Sequence, residues 1–174
     1  MKAVVVYESH WGNTAAVARS IASGLGSETP ALATDEATAS VIADADLIVA
    51  GAPVIAFRLA TDSMRKRIAD GAPEAPSRPD LGHPSMRDWL DQMPVGNGMA
   101  AAFETRLRWS PGGATGAIER RLRAAGYRPV ANGHKFVVTG SYGPLRDGEL
   151  EAARAWGRAL AQALSAAAGD ADAI

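Results

Sequence analysis

The chain has 174 residues, of which 47% are apolar and 21% are charged, a composition typical of one folded globular domain rather than a disordered segment. Lys and Arg total 18 and Asp and Glu total 19. This near-neutral balance argues against nucleic acid or an anionic membrane surface as a partner. The absence of cysteine excludes disulfides, thiol nucleophiles, iron–sulfur ligation and cysteine zinc sites.

No apolar stretch approaches the roughly 18 residues of a membrane span. The short apolar run near Met1 lacks the length and cleavage site of a signal peptide. We therefore expect a single domain over residues 1–174 that is cytoplasmic and has no membrane span. The three histidines (His10, His83, His134) lie far apart in sequence, so a histidine metal centre is not predicted.

Strand, loop and helix alternate along the chain. Val4–Tyr7 is a continuous apolar run with β-branched residues, which predicts a strand buried on both faces. A helix follows, and Gly24 and Gly26 are predicted to end it. Its apolar face comprises Val17, Ile21 and Leu25.

The second and third strands follow. Ala31–Ala33, after a proline, is a candidate edge strand. A brief helix over 38–45 is predicted to turn Val41 and Ile42 inward. Asp46–Gly51 is the clearest central strand.

The middle of the chain contains less regular structure. A helix is predicted at Thr61–Ala69, with Thr61 or Asp62 as its N-cap. Residues 71–98 are rich in Pro and Gly, and a short helix at Ser85–Leu90 interrupts them. We interpret this segment as a surface excursion within the domain, because further strands and helices follow it.

The C-terminal part completes the alternation. Ala100–Phe103 and Phe136–Thr139 are predicted as the fourth and fifth strands. The helix between these strands carries Ile118, Leu122 and Ala125 on one face and ends at Gly126, and the last helix, over 149–168, carries Leu150, Ala153, Trp156, Leu160 and Leu164.

Five strands that alternate with helices predict an α/β fold, with a parallel sheet covered on both faces by right-handed crossovers. Ligands of such sheets bind beyond the carboxyl ends of the strands, where the strand order reverses. The candidate site is therefore formed by the loops after strands one, three and four.

The loop after strand one, Ser9–Thr14, precedes a helix N-terminus. Unpaired N–H groups in the first helical turn, two hydroxyls and a tight turn at Gly12 can together bind a phosphate without Lys or Arg. The alternative is an ordinary strand-to-helix turn capped by Asn13 or Thr14. A Walker-type P-loop and a dinucleotide fingerprint after a strand are both absent from the sequence.

These residues resemble the flavodoxin family. Tyr7–Thr14 is similar to the family's phosphate loop, [ST]-x-T-G-x-T, and Gly51–Phe57 resembles the loop that lines the flavin ring. The resemblance covers nearly the whole chain. It implies a flavodoxin-like three-layer sandwich with a five-stranded parallel sheet of strand order 2-1-3-4-5, and FMN as the cofactor.

The resemblance also implies which residues bind FMN. The phosphate would lie among Ser9, His10, Trp11, Gly12, Asn13 and Thr14. One side of the isoalloxazine ring would lie against Ala52, Pro53, Val54, Ile55 and Phe57, and the other side against Thr105, Arg106 and Trp109. Phe57 and Trp109 are candidates for stacking on the ring. The alternative is that Phe57 packs on the following helix and Trp109 anchors its loop.

The sequence departs from the family pattern at a few positions. Trp11 stands where the family has a threonine, and its indole N–H can replace the hydroxyl donor. We expect Glu8 to point to solvent, because inside the loop it would repel a phosphate. We expect His10 to be a solvent-facing loop residue. The apolar side chains of Val54 and Ile55 leave fewer hydrogen bonds for the ring.

The positive charges near the proposed ring site suggest the chemistry. Arg58, Arg106 and Arg108 would favour the anionic reduced flavin and raise its potential. We therefore expect two-electron chemistry, in electron transfer or as an FMN-dependent oxidoreductase, with a redox partner protein or a small quinone-like acceptor. A homodimer is compatible with the sequence, and no residue is assigned a catalytic role.

A second hypothesis is a flavodoxin-fold binding module that has lost FMN. Residues 99–135 contain seven basic and two acidic side chains. This stretch is either a solvated helix face with loops or a docking surface for an acidic partner or a phosphorylated cofactor.

Overall fold

The computed structural model describes residues 2–71 and 74–171; residues 1, 72–73 and 172–174 of the expected domain lie outside the described residues. In chain order the elements are β1 (Ala3–Tyr7), α1 (Asn13–Leu25), β2 (Ala31–Ala33), α2 (Ala39–Ile42), β3 (Leu47–Ile55), β4 (Arg58–Leu59), α3 (Asp62–Asp70), α4 (Met86–Asp91), β5 (Met99–Leu107), α5 (Thr115–Ala124), β6 (Arg128–Pro129), β7 (His134–Val138) and α6 (Glu149–Ala171).

The sheet has the order β2-β1-β3-β5, and β6 and β7 share the outer edge of β5. These neighbours all pair in parallel, so the carboxyl ends of β1, β3, β5 and β7 lie at one edge. The predicted α/β sandwich with order 2-1-3-4-5 is thereby confirmed. Two details differ: β4 forms an antiparallel hairpin with β3, and the fifth strand is split into β6 and β7.

The split strand has a local cause in its packing. The chain leaves the ladder between Pro129 and His134, where Gly133 lies against α5. A Cβ atom on Gly133 would be only 2.6 Å from the Thr115 Cβ. Only glycine therefore allows this loop to approach the helix so closely.

The sheet is buried on both faces, as the apolar runs in the sequence predict. Val4 and Val6 pack in the core on one side, and Val5 packs in the core on the other. One side is covered by α4 and α5, and the other by α1 and α6, as shown by the buried residues that each cluster contains. This alternation sets the orientation of β1 in the sheet, and therefore the point at which the loop after β1 begins.

Helices α1 and α6 cross at very short range, which corrects the prediction that Gly24 ends α1. Gly24 lies inside the helix, where a Cβ atom would be 2.1 Å from the Arg154 carbonyl oxygen. On the facing helix, a Cβ atom on Gly157 would be 2.2 Å from the Ile21 carbonyl oxygen. Only Gly26 acts as the C-cap, as predicted.

Two predicted core positions are wrong. Val41 is exposed while Ile42 is buried, because the single turn of α2 presents only one of two adjacent residues to the core. Leu150 is exposed in the first turn of α6, whereas Ala153, Leu160 and Leu164 are buried. Among the helices that the structure describes, none is both long and apolar enough for a membrane crossing.

Candidate functional site

A cavity of about 240 Å³ opens at the edge where β1, β3, β5 and β7 end. The loops after all four strands contribute to its wall. Its lining residues are Ser9, His10, Trp11, Asn13, Thr14, Pro53, Val54, Ile55, Ala56, Phe57, Ile68, Thr105, Arg106, Leu107, Trp109, Ser110, Val138, Ser141 and Tyr142.

The first loop turns sharply into α1. Gly12, the N-cap, has φ 88°, a left-handed conformation that strains residues with a Cβ atom. Its N–H donates to Ser9 Oγ at 3.1 Å, and its carbonyl oxygen accepts from the Ala16 N–H. The next N–H groups of the first helical turn have no carbonyl partner within the helix. The first turn of α1 contains no acidic residue, so it remains favourable for an anion.

Two buried side-chain nitrogens of the same loop lack a hydrogen-bond partner in the described part of the chain: Trp11 Nε1 and His10 Nδ1. A buried donor without a partner is costly, and native proteins rarely retain one without a reason. The indole ring of Trp11 is held edge-on by Tyr142, with ring centroids 4.8 Å apart. Trp11 therefore packs on Tyr142 while its buried N–H group has no acceptor among the described residues.

The neighbouring helix N-termini are already occupied by side chains. Glu104 Oε2 accepts from the N–H groups of Ala114 and Thr115 at the start of α5, at 2.6 and 2.9 Å. The start of α4 is capped by Ser85, and its Met86 N–H donates to Glu8. The N-cap of α1 has no such side-chain acceptor. This difference makes α1 the one of these three helices whose N-terminus can receive an external anion.

The hairpin between β3 and β4 forms one wall of the cavity. Ala56 and Phe57 link the strands and both have positive φ, 43° and 69°. A two-residue turn of this kind normally uses Asn or Gly, so the surroundings must hold it. The Phe57 carbonyl oxygen accepts from the Gly113 N–H at 2.9 Å, and a Cβ atom on Gly112 would lie 2.2 Å from that oxygen.

This contact links the hairpin to the loop after β5. Phe57 is 51% exposed and Trp109 is 73% exposed, although both line the cavity. Phe57 is therefore not covered by the helix that follows it. Two aromatic rings stand at the mouth, on separate loops that are hydrogen-bonded to each other.

Solved structures resemble this architecture. A flavodoxin from the domain Archaea superposes with a TM-score of 0.65 and 21% identity, over 95% of this chain and 99% of that one. Flavodoxin 1 from Bacillus cereus gives 0.62 and 20%, over 93% and 98%. The flavodiiron core Flv1 from Synechocystis sp. PCC6803 gives 0.63 and 19%, over 96% of this chain and 36% of that one.

The chain has a flavodoxin-like fold. No protein-family model and no curated protein matches its sequence.

In this flavodoxin-like domain, the predicted site residues come together at one edge. All of them line the cavity except Gly12, which is the exposed N-cap of α1, and Ala52, which is fully buried in the core. Ala52 was expected at the ring but lies in the buried core, because β3 runs on to Ile55 and the cavity wall begins only at Pro53.

Seven lining residues were not named as site residues from the sequence: Ala56, Ile68, Leu107, Ser110, Val138, Ser141 and Tyr142. Tyr142 lies after β7, whose carboxyl end shares the same edge, and that shared edge was the available signal. Asn13 Nδ2 donates to the Tyr142 carbonyl oxygen at 3.0 Å. A Cβ atom on Gly143 would be 2.6 Å from the same Asn13 nitrogen, so glycine permits this contact.

The expectation that Glu8 points to solvent is wrong. Its side chain is fully buried beneath the first loop and accepts from His10 Nε2 at 3.0 Å and from the Met86 N–H at 2.9 Å. Arg65 Nε lies 3.3 Å from the same carboxylate. Burial alone raises the pKa of Glu8, but the hydrogen bonds from His10 and Met86 and the charges of His10 and Arg65 outweigh burial, so the pKa is lowered.

His10 is likewise buried and does not face solvent, which corrects the expectation for this residue. Its carbonyl oxygen accepts from the Asp80 N–H at 2.8 Å, and His83 Nε2 lies 3.4 Å from the Ser9 carbonyl oxygen. The Pro- and Gly-rich excursion therefore packs behind the first loop. The excursion bonds to the backbone carbonyls of the loop, while Glu8 bonds to the His10 side chain.

The lowered pKa of Glu8 predicts a pH-dependent stability. We expect Glu8→Gln to lower the free energy of unfolding at pH 7 by about 3 kcal/mol, because it breaks a buried charge cluster. A depressed pKa stabilises the folded state above the ordinary value of 4.5, and this contribution is lost as pH falls through the folded pKa. The difference in the free energy of unfolding between parent and variant, measured by urea unfolding, should therefore shrink below pH 4.5.

Glu119→Gln is the control, because Glu119 pairs with Arg123 at the surface and its loss should cost under about 1 kcal/mol. If Glu8→Gln loses no stability at pH 7, or loses the same amount at every pH, Glu8 does not have a lowered pKa in a buried charge cluster.

Proposed function

We propose that the protein binds FMN in this cavity and acts in electron transfer or as an FMN-dependent oxidoreductase. The observation that carries the proposal is the buried Trp11 N–H, which has no partner among the described residues and belongs to the residue just before the N-cap of α1. This arrangement suits a phosphate, which supplies several acceptor oxygens and a negative charge.

The rest of the cavity suits a flat apolar ring. Pro53, Val54 and Ile55 form a partly buried apolar wall, and Phe57 and Trp109 stand at the mouth. The hydroxyls of Thr14, at the start of α1, and Thr105, on β5, are hydrogen-bonded to each other at 2.7 Å. The first loop and the two aromatic rings at the mouth therefore line one cavity, as a flavin with a phosphate tail requires.

When bound, FMN supplies the redox chemistry, and the chain supplies binding and electrostatics. Ser9, Trp11, Gly12 and Thr14 would hold the phosphate. The chain would exchange electrons with a partner protein or a small quinone-like acceptor at the mouth of the cavity.

Trp11→Phe tests the phosphate site. The substitution keeps the ring that packs on Tyr142 but removes the N–H donor. We expect affinity for FMN to fall about tenfold, the loss of one hydrogen bond to a charged group, while affinity for riboflavin, which has no phosphate, stays unchanged. Titration of flavin fluorescence measures both affinities.

Trp156→Phe is the matched control, since Trp156 packs on His134 away from the cavity, and it should alter neither affinity. Equal losses for FMN and riboflavin in Trp11→Phe would assign Trp11 to packing alone. A parent protein that is colourless and ignores added FMN would favour the binding-module hypothesis instead.

The charges around the cavity bear on the electron chemistry. Arg106 is paired with Glu104 at 2.9 Å, whereas Arg58 and Arg108 have no ion pair with any residue that the structure describes. Positive charge at this edge stabilises the anionic reduced flavin.

We therefore expect bound FMN to be reduced in a single two-electron step, at a potential above that of free FMN. Arg58→Gln combined with Arg108→Gln should lower that potential, because the compensating charge is removed. Anaerobic reductive titration with a reference dye measures it. Two well-separated one-electron steps, or a potential unchanged by the substitutions, would contradict the charge argument.

A further inference from the structure

The charge of the cavity walls bears on which kind of partner can approach them. Among its lining residues that the structure describes, none carries a carboxylate. The two nearest buried carboxylates, Glu8 and Glu104, are paired with Arg65 and Arg106. The walls of the cavity therefore present no net negative charge.

Two arginines stand outside the walls at the mouth. Arg58 and Arg108 are exposed, and each is the chain neighbour of an exposed aromatic, Phe57 and Trp109 respectively. Neither arginine forms an ion pair with a residue in the described ranges 2–71 and 74–171.

Three other arginines are paired with acids. Arg121 pairs with Asp91, Arg123 pairs with Glu119, and Arg146 pairs with Glu149. Exposed Arg120 and Arg128 also have no ion pair within the described ranges. Arg58 and Arg108 differ from them in position, because they lie beside exposed aromatic rings at the mouth of the cavity.

The four residues form one rigid rim. The hairpin that carries Phe57 and Arg58 is bonded to the loop after β5 through the Gly113 N–H and the Phe57 carbonyl oxygen, and Arg58 also bridges to Gly113 in the backbone ladder. We call Phe57, Arg58, Arg108 and Trp109 the aromatic–arginine rim. A rigid surface of this kind loses little entropy when a partner binds.

We propose that the aromatic–arginine rim is the docking surface for an acidic redox partner protein, a proposal that rests on FMN binding in the cavity beside it. Tryptophan and arginine are the residue types that most often dominate binding energy at protein interfaces. Uncompensated positive charge steers and orients a partner that carries carboxylates. Phe57 and Trp109 line the cavity and are also exposed at its mouth, so a protein surface can reach both rings together with Arg58 and Arg108.

The test follows backbone amide signals of the ¹⁵N-labelled protein by NMR, at low ionic strength, during titration with a ten-residue glutamate peptide. We expect shifts at residues 56–58 and 108–113, and none with a ten-residue lysine peptide. Arg58→Glu combined with Arg108→Glu should weaken binding of the glutamate peptide by at least about tenfold. Added salt should weaken it as well, because it screens exposed charges.

Arg120→Glu combined with Arg128→Glu is the control with the same change in net charge, since both residues are exposed and lie elsewhere in the basic 99–135 stretch. This pair should leave peptide binding nearly unchanged. Shifts centred on α5, loss of binding in the control pair, or no shifts at all would overturn the proposal.

A kinetic measurement separates a protein partner from small anions. Reduced, FMN-loaded protein is mixed with ferricyanide or with hexaammineruthenium(III). If the Arg58 and Arg108 substitutions slow only ferricyanide and the glutamate peptide gives no shifts, the rim attracts small anions and the protein-docking proposal is wrong.

The NMR titration is run with and without FMN. Peptide shifts at the rim without any flavin binding would leave the docking surface standing and remove the proposed function. Flavin binding without peptide shifts would leave the proposed function standing and remove the docking surface.

Discussion

The left-handed backbone of Gly12 is the constraint on which the site depends. It turns the chain from β1 into α1 within a few residues, so that the first N–H groups of the helix lie at the open edge of the sheet. A helix that began through an ordinary Ser or Asp cap would fill its own first turn. Here Ser9 bonds back to the Gly12 N–H instead, and the following turn stays open to an external acceptor. An anion at this point needs no lysine or arginine in the loop.

Two buried carboxylates hold the loops around that opening. Glu8 supports the first loop from below through His10, Arg65 and the start of α4, and Glu104 ties the start of α5 to Arg106. Each is satisfied by a cation and by at least one backbone N–H group, which is the condition for keeping a charge in the interior. Since both are neutralised, the cavity has the positive balance that comes from Arg58 and Arg108. The same pairing therefore fixes loop positions and sets the electrostatics of the mouth.

The sequence predicted what depends on neighbouring residues and missed what depends on distant ones. The runs at Val4–Tyr7 and Asp46–Gly51 predict buried strands, and the loop between β1 and α1 follows from them. The burial of Glu8 is a different matter, because the Met86 N–H that binds it is 78 residues away. Tyr142 is likewise brought to the site by a bond from Asn13 across 129 residues. Sequence patterns report which face is apolar, but pairing of polar groups through space requires the fold.

The most direct test compares Gly12→Ala with Gly148→Ala by calorimetric titration with FMN. Both glycines precede a long helix with nearly equal φ, 88° and 85°, both accept a bond from the N–H four residues on, and a Cβ atom at either would meet nothing within 4 Å. Each substitution should cost about 1–2 kcal/mol of stability through backbone strain. The account predicts that only Gly12→Ala weakens FMN binding, by roughly tenfold or more. Equal affinity in the two variants would show that the opening of α1 does not hold the phosphate.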